Sequence, residues 1–410
     1  MAGRVQKFAN RTFFKTAKIN LLRRLLEPYF SAIGLNWSDL PENDSEKRDD
    51  LFELFGLENH FPMELRNALH RIQRLSGQIG ARILIEQAQL QQVDLQTNAS
   101  SEGSVECLDT RSIALAAYLD HRSLFDRAAD LSLLWTPSRM LERRAACMGI
   151  RSRHDDFLHM EDFRSAAQAF FLDKYRGNFC DVRWYPDNEW IGVIVSHGRH
   201  RKTANVEENG VEETLSYREI SEDVIRYSEK TGRIKVAAES MTDAQMLVAL
   251  FALHLLGKPD AFSGAAAKTL YTLQPIQSQG ADFTFMTGWD DTVSSVSIVD
   301  VQADDGRVQA GGGRRMSPWN IKMGDDHNAV KRLGSTLGNS SLTGLSLKSV
   351  RLMFHIDCPG SRKVRVPVRM QPPDILSIHD QTFEDTIYDH LQQNGLLHDP
   401  SRSANPNTIH

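Results

Sequence analysis

Cysteine is scarce in this chain of 410 residues. Cys107, Cys147, Cys180 and Cys358 lie far apart and form no C-x-x-C pair. That spacing argues against a disulfide framework or a cysteine zinc site, so a reducing, cytoplasmic setting is expected. Long apolar runs are missing too: none approaches the roughly 18 residues that span a bilayer, and the first residues lack the apolar core of a signal peptide. Also absent are G-x-x-x-x-G-K-[ST], G-x-G-x-x-G after a strand, G-x-S-x-G and H-E-x-x-H. These are common signatures of phosphate-loop, dinucleotide, hydrolase and zinc-protease chemistry. No cofactor is implied.

Acids are missing before Glu27, whereas Arg4, Lys7, Arg11, Lys15, Lys18, Arg23 and Arg24 precede it. Three readings fit this segment: a first helix packed through Phe14, Leu21, Leu22 and Leu25, a basic arm touching nucleic acid, or an acid-poor transit peptide.

The remaining composition is that of a globular protein. Hydrophobic residues make up 41% and charged residues 25% of the chain, enough for a sizeable core in two domains. A net charge of −5 excludes a globally basic nucleic-acid binder but leaves room for a basic face. Up to Phe179 there are 24 basic and 24 acidic residues; beyond it 24 basic residues meet 29 acidic ones.

Hydrophobic spacing divides the chain as well. Pro62 stands ahead of Met63–Leu75, where Leu65, Leu69, Ile72 and Leu75 share one helical stripe. Helical patterns recur at 111–119, 124–134, 138–148 and 161–173. The polar segment 93–106 reads as a flexible insert. The period then changes to two, in "EWIGVIVSHG", "ETLSYRE", "DVIRYSE" and "GRIKVAAE". Asn209-Gly210 suits a two-residue hairpin turn. "TDAQMLVALFALHLLGKP" predicts a helix capped by Thr242, ended by Gly257 and buried nearly all round. Segments 268–274, 282–286 and 293–301 are strand-like.

The cleanest alternation comes late. Val350, Leu352, Phe354 and Ile356, then Val364, Val366, Val368 and Met370, predict a half-buried hairpin through Cys358-Pro359-Gly360. Pro367 marks an edge or a bulge in its second strand. A last amphipathic helix carries Phe383, Ile387 and Leu391, opens with Thr382-x-x-Asp385 and closes at Gly395. The expected architecture is α+β: an all-helical domain over 1–176 and a mainly antiparallel sheet domain over 177–397. The latter includes one buried helix and the C-terminal helix, and a disordered tail occupies 398–410.

Candidate chemistry is basic. "SHGRHRK" carries His197, Arg199, His200, Arg201 and Lys202 between two strands. It reads as a solvated hairpin end, a phosphate contact or, least well, a metal site, since no acid completes a ligand set. Arg314 and Arg315 follow three glycines, where backbone amides and guanidinium groups would meet an anion. Alternation puts Arg351, His355, Lys363, Arg365 and Arg369 on one outward stripe, which suits phosphates but equally protects an edge strand. His121, His154 and Asp155 resemble the His…His-Asp order of metal-dependent HD phosphohydrolases, though the family's further ligand has no counterpart here. A Cys–His nucleophile would need Cys180 or Cys358 beside a histidine.

The succession of a helical half, "SYREISEDVIRY…GRIKVAAE" and a capped helix resembles uncharacterised bacterial proteins. Some of these are encoded beside helicases and nucleases of anti-phage or mobile-element systems. The expected function is a non-catalytic binding or adaptor component without a membrane span. Its partner would be nucleic acid, an acidic protein surface or other proteins of the same system. The alternatives are a metal-dependent phosphohydrolase or nuclease, and a protein–protein scaffold acting through the helical half.

Overall fold

A computed structural model describes residues 11–56, 62–95, 97–99, 105–135, 139–187, 189–208, 211–304, 320–325, 327–336, 342, 345–357, 363–378 and 380–398. The chain divides into two compact units, Met1–Leu133 and Leu134–His410.

The first unit is helical, with α1 (Arg11–Thr16), α2 (Ile19–Leu26), α3 (Asp44–Gly56), α4 (Met63–Leu75) and α5 (Gln78–Leu90). After a short pair of strands, β1 (Thr97–Ala99) and β2 (Val105–Cys107), come α6 (Thr110–Asp120) and α7 (Arg122–Trp135). Helix α4 buries the expected stripe, Leu65, Leu69, Ile72 and Leu75, together with Ala68. Phe13, Phe14, Leu21, Leu22 and Leu25 are buried, so residues 11–26 form packed helices. Asp109 caps α6, its carboxylate accepting from the N–H groups of Arg111 and Ser112 at 2.9 and 3.4 Å. Within the segment expected to be a flexible insert, Thr97 pairs with Cys107 and Ala99 with Val105.

The second unit begins with β3 (Met140–Arg144), α8 (Phe157–Asp173), β4 (Cys180–Pro186) and β5 (Ile191–Gly198). A separate two-stranded ribbon, β6 (Lys202–Glu208) and β7 (Val211–Tyr217), leads to β8 (Ile220–Ser228), β9 (Arg233–Ala237) and α9 (Met241–Leu250). Short helices α10 (Ala265–Lys268) and α11 (Gln274–Gln279) precede β10 (Val293–Asp304), β11 (Asn320–Gly324) and α12 (Ala329–Thr336). The chain finishes with β12 (Ser346–Ile356), β13 (Val364–Gln371), β14 (Ile375–Ile378) and α13 (Glu384–Gln393). Ten strands make one antiparallel sheet in the order β11-β10-β12-β13-β14-β3-β9-β8-β5-β4. The fold is α+β, as the change of period predicts.

Several local expectations change. Segment 138–148, with its helical spacing, supplies strand β3. Leu141 there lies opposite Val236 on one side and Ile375 on the other. Pairing with two waiting strands outweighs a weak helical pattern. Ser240, not Thr242, caps α9, accepting from Asp243 N–H at 3.1 Å. The helix runs through a π turn, Phe251–Leu255, to Gly257 at φ +60. Met241, Met246 and Leu253 are exposed, so this helix is buried on one side only. Segments 268–274 and 282–286 contribute no strand to the sheet among the described residues. The Asn209-Gly210 turn lies outside the described residues, although Glu208 and Val211 pair across it.

The sheet buries opposite faces in its two halves. Over β3, β9, β8, β5 and β4, side chains such as Leu141, Val193, Ile225 and Ile234 pack against α8 and α9. Over β10, β12, β13 and β14, the other face is buried, with Leu352, Phe354, Val366 and Val368 packed against Ile387 and Leu391 of α13. Among the described residues, no helix is long and apolar enough to cross a membrane.

Candidate nucleic-acid interface

The open face of the second half-sheet follows directly from alternation. Val350, Leu352, Phe354 and Ile356 of β12 are buried, as are Val366, Val368 and Met370 of β13. Their alternate neighbours therefore face the other way. Arg351, Arg365 and Arg369 are exposed, while Met353, His355 and Pro367 are half-buried. Register decides who meets whom: Arg351 lies opposite Arg369, Met353 opposite Pro367 and His355 opposite Arg365. Directly opposite side chains stand about 5 Å apart at Cβ, where like charges destabilise a sheet. Among the described residues, none of these three arginines makes an ion pair. An acid does approach: Asp300 lies opposite Arg351 across a bulge in β10, and its carboxylate is 3.5 Å from Lys322 Nζ.

Pro367 sits in an internal strand, yet one residue past the last pair with β14, Val368 with Ile378. Its missing N–H is tolerated because the neighbouring strand has ended there. The basic stripe therefore lies in the interior of the sheet, where edge protection does not explain it. Lys363 precedes β13 and pairs with Asp357 at 3.2 Å. Arg314 and Arg315 lie outside the described residues.

The loop "SHGRHRK" behaves otherwise. His197 is fully buried, stacked on Phe171 with ring centroids 3.6 Å apart. Its Nε2 is 3.0 Å from the Asp223 carboxylate and its Nδ1 is 2.9 Å from the Gly198 carbonyl oxygen. Both ring nitrogens are therefore engaged by oxygen atoms inside the fold. Arg199 reaches Glu219 at 3.1 Å and Glu239 at 3.3 Å, and Lys202 reaches Glu219 at 2.7 Å. The hydrogen bonds from Lys202 and Arg199 hold the Glu219 carboxyl below its usual range. Two cations of this loop thus have partners, whereas Arg201 is exposed with no ion pair among the described residues.

Cys180 lies directly opposite His197 on the paired strands. Burial pushes its thiol up to about 11, and both histidine nitrogens are already engaged, so the pair is not an activated nucleophile. His121 follows α6 in the first unit. His154 and Asp155 stand in the turn before α8, and Asp155 is paired with Arg151 at 3.3 Å. Among the described residues, no three of His, Cys, Asp and Glu come together to hold a metal ion.

A second cluster, unmarked in the sequence reading, is buried under α13. Glu142, Arg226, Lys235 and Glu384 are all at most 5% exposed. Lys235 contacts Glu142 at 3.3 Å and also Glu384. Arg226 reaches Glu384 at 3.2 Å and lies between the rings of Trp135 and Trp190, 4.2 and 4.4 Å from their centroids. The hydroxyls of Tyr271 and Tyr388 donate to Glu142. Burial opposes the charge on Glu142, but Lys235, Arg233 and the two tyrosines outweigh it and hold the carboxyl low. Burial pushes Lys235 down to about 7, against the pull of Glu142. The cluster is closed to solvent and reads as an internal tie between the sheet and α13. Its only sequence signal was charge at alternate positions of β8 and β9, which looks the same as a solvated face.

No protein-family model and no curated protein matches this chain.

Proposed function

We propose that this protein is a non-catalytic binding component that holds nucleic acid through the open sheet face bearing Arg351, Arg365 and Arg369. The observation that carries the reading is the register: Arg351 lies opposite Arg369 in the middle of a sheet, and Arg365, with His355 opposite it, continues the same row. Such an arrangement costs stability in the free protein, and an anion laid across it relieves that cost. Arg365 and Arg369 are four residues apart on one strand, about 13 Å, so the charges suit a repeating polyanion rather than a single phosphate. Arg201 and the glycine-flanked Arg314 and Arg315 remain candidate additional contacts. A place in a bacterial nucleic-acid-processing or anti-phage system belongs to the same proposal and rests on the order of elements alone.

The test is fluorescence anisotropy with labelled DNA and RNA across a salt series. The wild type binds with a negative log–log salt slope, which falls by about one for each phosphate contact removed. Arg365→Glu with Arg369→Glu weakens binding at every salt concentration. Unchanged binding by this variant overturns the sheet-face reading. A wild type that ignores nucleic acid but captures an acidic polypeptide transfers the face to a protein partner.

A further inference from the structure

Beside the arginine face lies a cleft of about 440 Å³, within the size range of small-ligand sites. Helix α9 forms one wall through Gln245, Val248 and Ala252, and Phe262 follows from the loop beyond it. Arg143 of β3 and Asp374 of the β13–β14 turn contribute the polar part. The turn is held rigidly. Glu142 N–H donates to the Asp374 carbonyl at 2.8 Å, and Leu270 and Tyr271 N–H donate to the Pro373 carbonyl at 2.8 and 2.9 Å. Arg143 Nη1 donates to the Asp374 carboxylate and, at 2.7 Å, to the Glu142 carbonyl. The cleft therefore exists before any ligand arrives.

The cleft opens on the same sheet face as the arginines. Arg369 lies opposite Ser377, Gln371 opposite Ile375, and Ile375 opposite Leu141. Leu141 and Arg143 alternate on β3, so the series crosses from β13 to β3 without changing face. Two strand spacings, about 10 Å, separate β13 from β3, and Arg143 stands four residues, about 13 Å, along the strands from the level of Arg369. Lys268 adds a further cation to the lining.

We propose that this cleft receives an unstacked base of a single strand whose phosphates lie along Arg369 and Arg365. The inference rests on the nucleic-acid reading above and narrows it. A base offers flat apolar faces and an edge of donors and acceptors. The cleft matches both, with Val248, Ala252 and Phe262 for the faces and Gln245, Arg143 and Asp374 for the edge. A duplex keeps its bases stacked and paired, and a sulfated polysaccharide has none, so neither fills the cleft.

Ala249 is exposed on α9 and also lines the cleft. Ala249→Trp therefore fills the cleft without disturbing the core, and the thermal melt of the variant verifies the fold. Binding of a labelled single-stranded 12-mer, a duplex of the same length and heparin to the full chain is compared for three proteins. In the expected result, Ala249→Trp weakens the single strand about tenfold and leaves duplex and heparin within twofold of wild type. Arg365→Glu with Arg369→Glu weakens all three ligands. If Ala249→Trp leaves the single strand unchanged, or weakens heparin equally, the cleft takes no base while the polyanion reading stands. If the double arginine variant changes nothing, the polyanion reading itself falls and the cleft proposal with it.

Discussion

Removing the His197 side chain tests whether the histidine of "SHGRHRK" is a buried tie rather than a ligand. His197 and Asp223 are 0% and 1% exposed at their side chains. In His197→Ala, Asp223 keeps one hydrogen bond, from Glu239 N–H at 3.2 Å, but loses its imidazole partner. Leaving a buried carboxylate short of one hydrogen bond costs about 3 kcal/mol. Loss of the stack on Phe171 adds about 1 kcal/mol. The sum, about 4 kcal/mol, is a large share of typical domain stability and lowers a urea midpoint by about 1.5–2 M. Urea unfolding followed by tryptophan fluorescence reads it. In an Asp223→Leu background the stranded acceptor is gone, so the cost of His197→Ala falls to packing alone and a coupling of about 2–3 kcal/mol remains. A single change costing less than about 1 kcal/mol, or the same cost in both backgrounds, refutes the reasoning.

Glu142 has its folded pKa lowered, so its contribution is present above the unfolded value of about 4.3 and lost as pH falls through the folded one. Stability of the wild type therefore declines in that acid window, and Glu142→Gln flattens the decline in a pH series of urea melts. A Cβ at Gly198 would meet the Arg176 carbonyl oxygen at 2.3 Å, which is backbone and cannot swing aside. Gly198→Ala is expected to cost about 1–3 kcal/mol, read as a lower melting temperature. Arg199→Ala with Lys202→Ala removes cations already paired with Glu219. Its nucleic-acid affinity should stay within about threefold of wild type, and a loss matching that of the Arg365 and Arg369 variant would return the loop to the binding site.

Much of the fold was legible from spacing. The apolar stripe of α4, the alternation of β12 and β13 and the glycine after the α9 turn each reflect a local requirement of the chain. Where only a weak pattern stood against tertiary partners it misled, as at β3, whose residues carry helical spacing but sit between two strands that need a neighbour. The candidate face was half legible: alternation grouped Arg351, Arg365 and Arg369, while nothing in "SHGRHRK" told that Glu219 and Glu239 answer its cations.

Arg365 and Arg369 on one strand, Arg233 and Lys235 on another, follow the same rule of alternate polar positions. The sequence by itself determined that each set faces away from its apolar neighbours, because successive side chains of a strand leave opposite sides. Only the tertiary structure decided what lies beyond those sides. Helix α13 closes over Lys235 and makes it part of a buried ion network, whereas the described residues leave Arg365 and Arg369 exposed. A second layer is built from residues far away in the chain, so the strand's own alternation cannot announce whether its polar face meets protein or water.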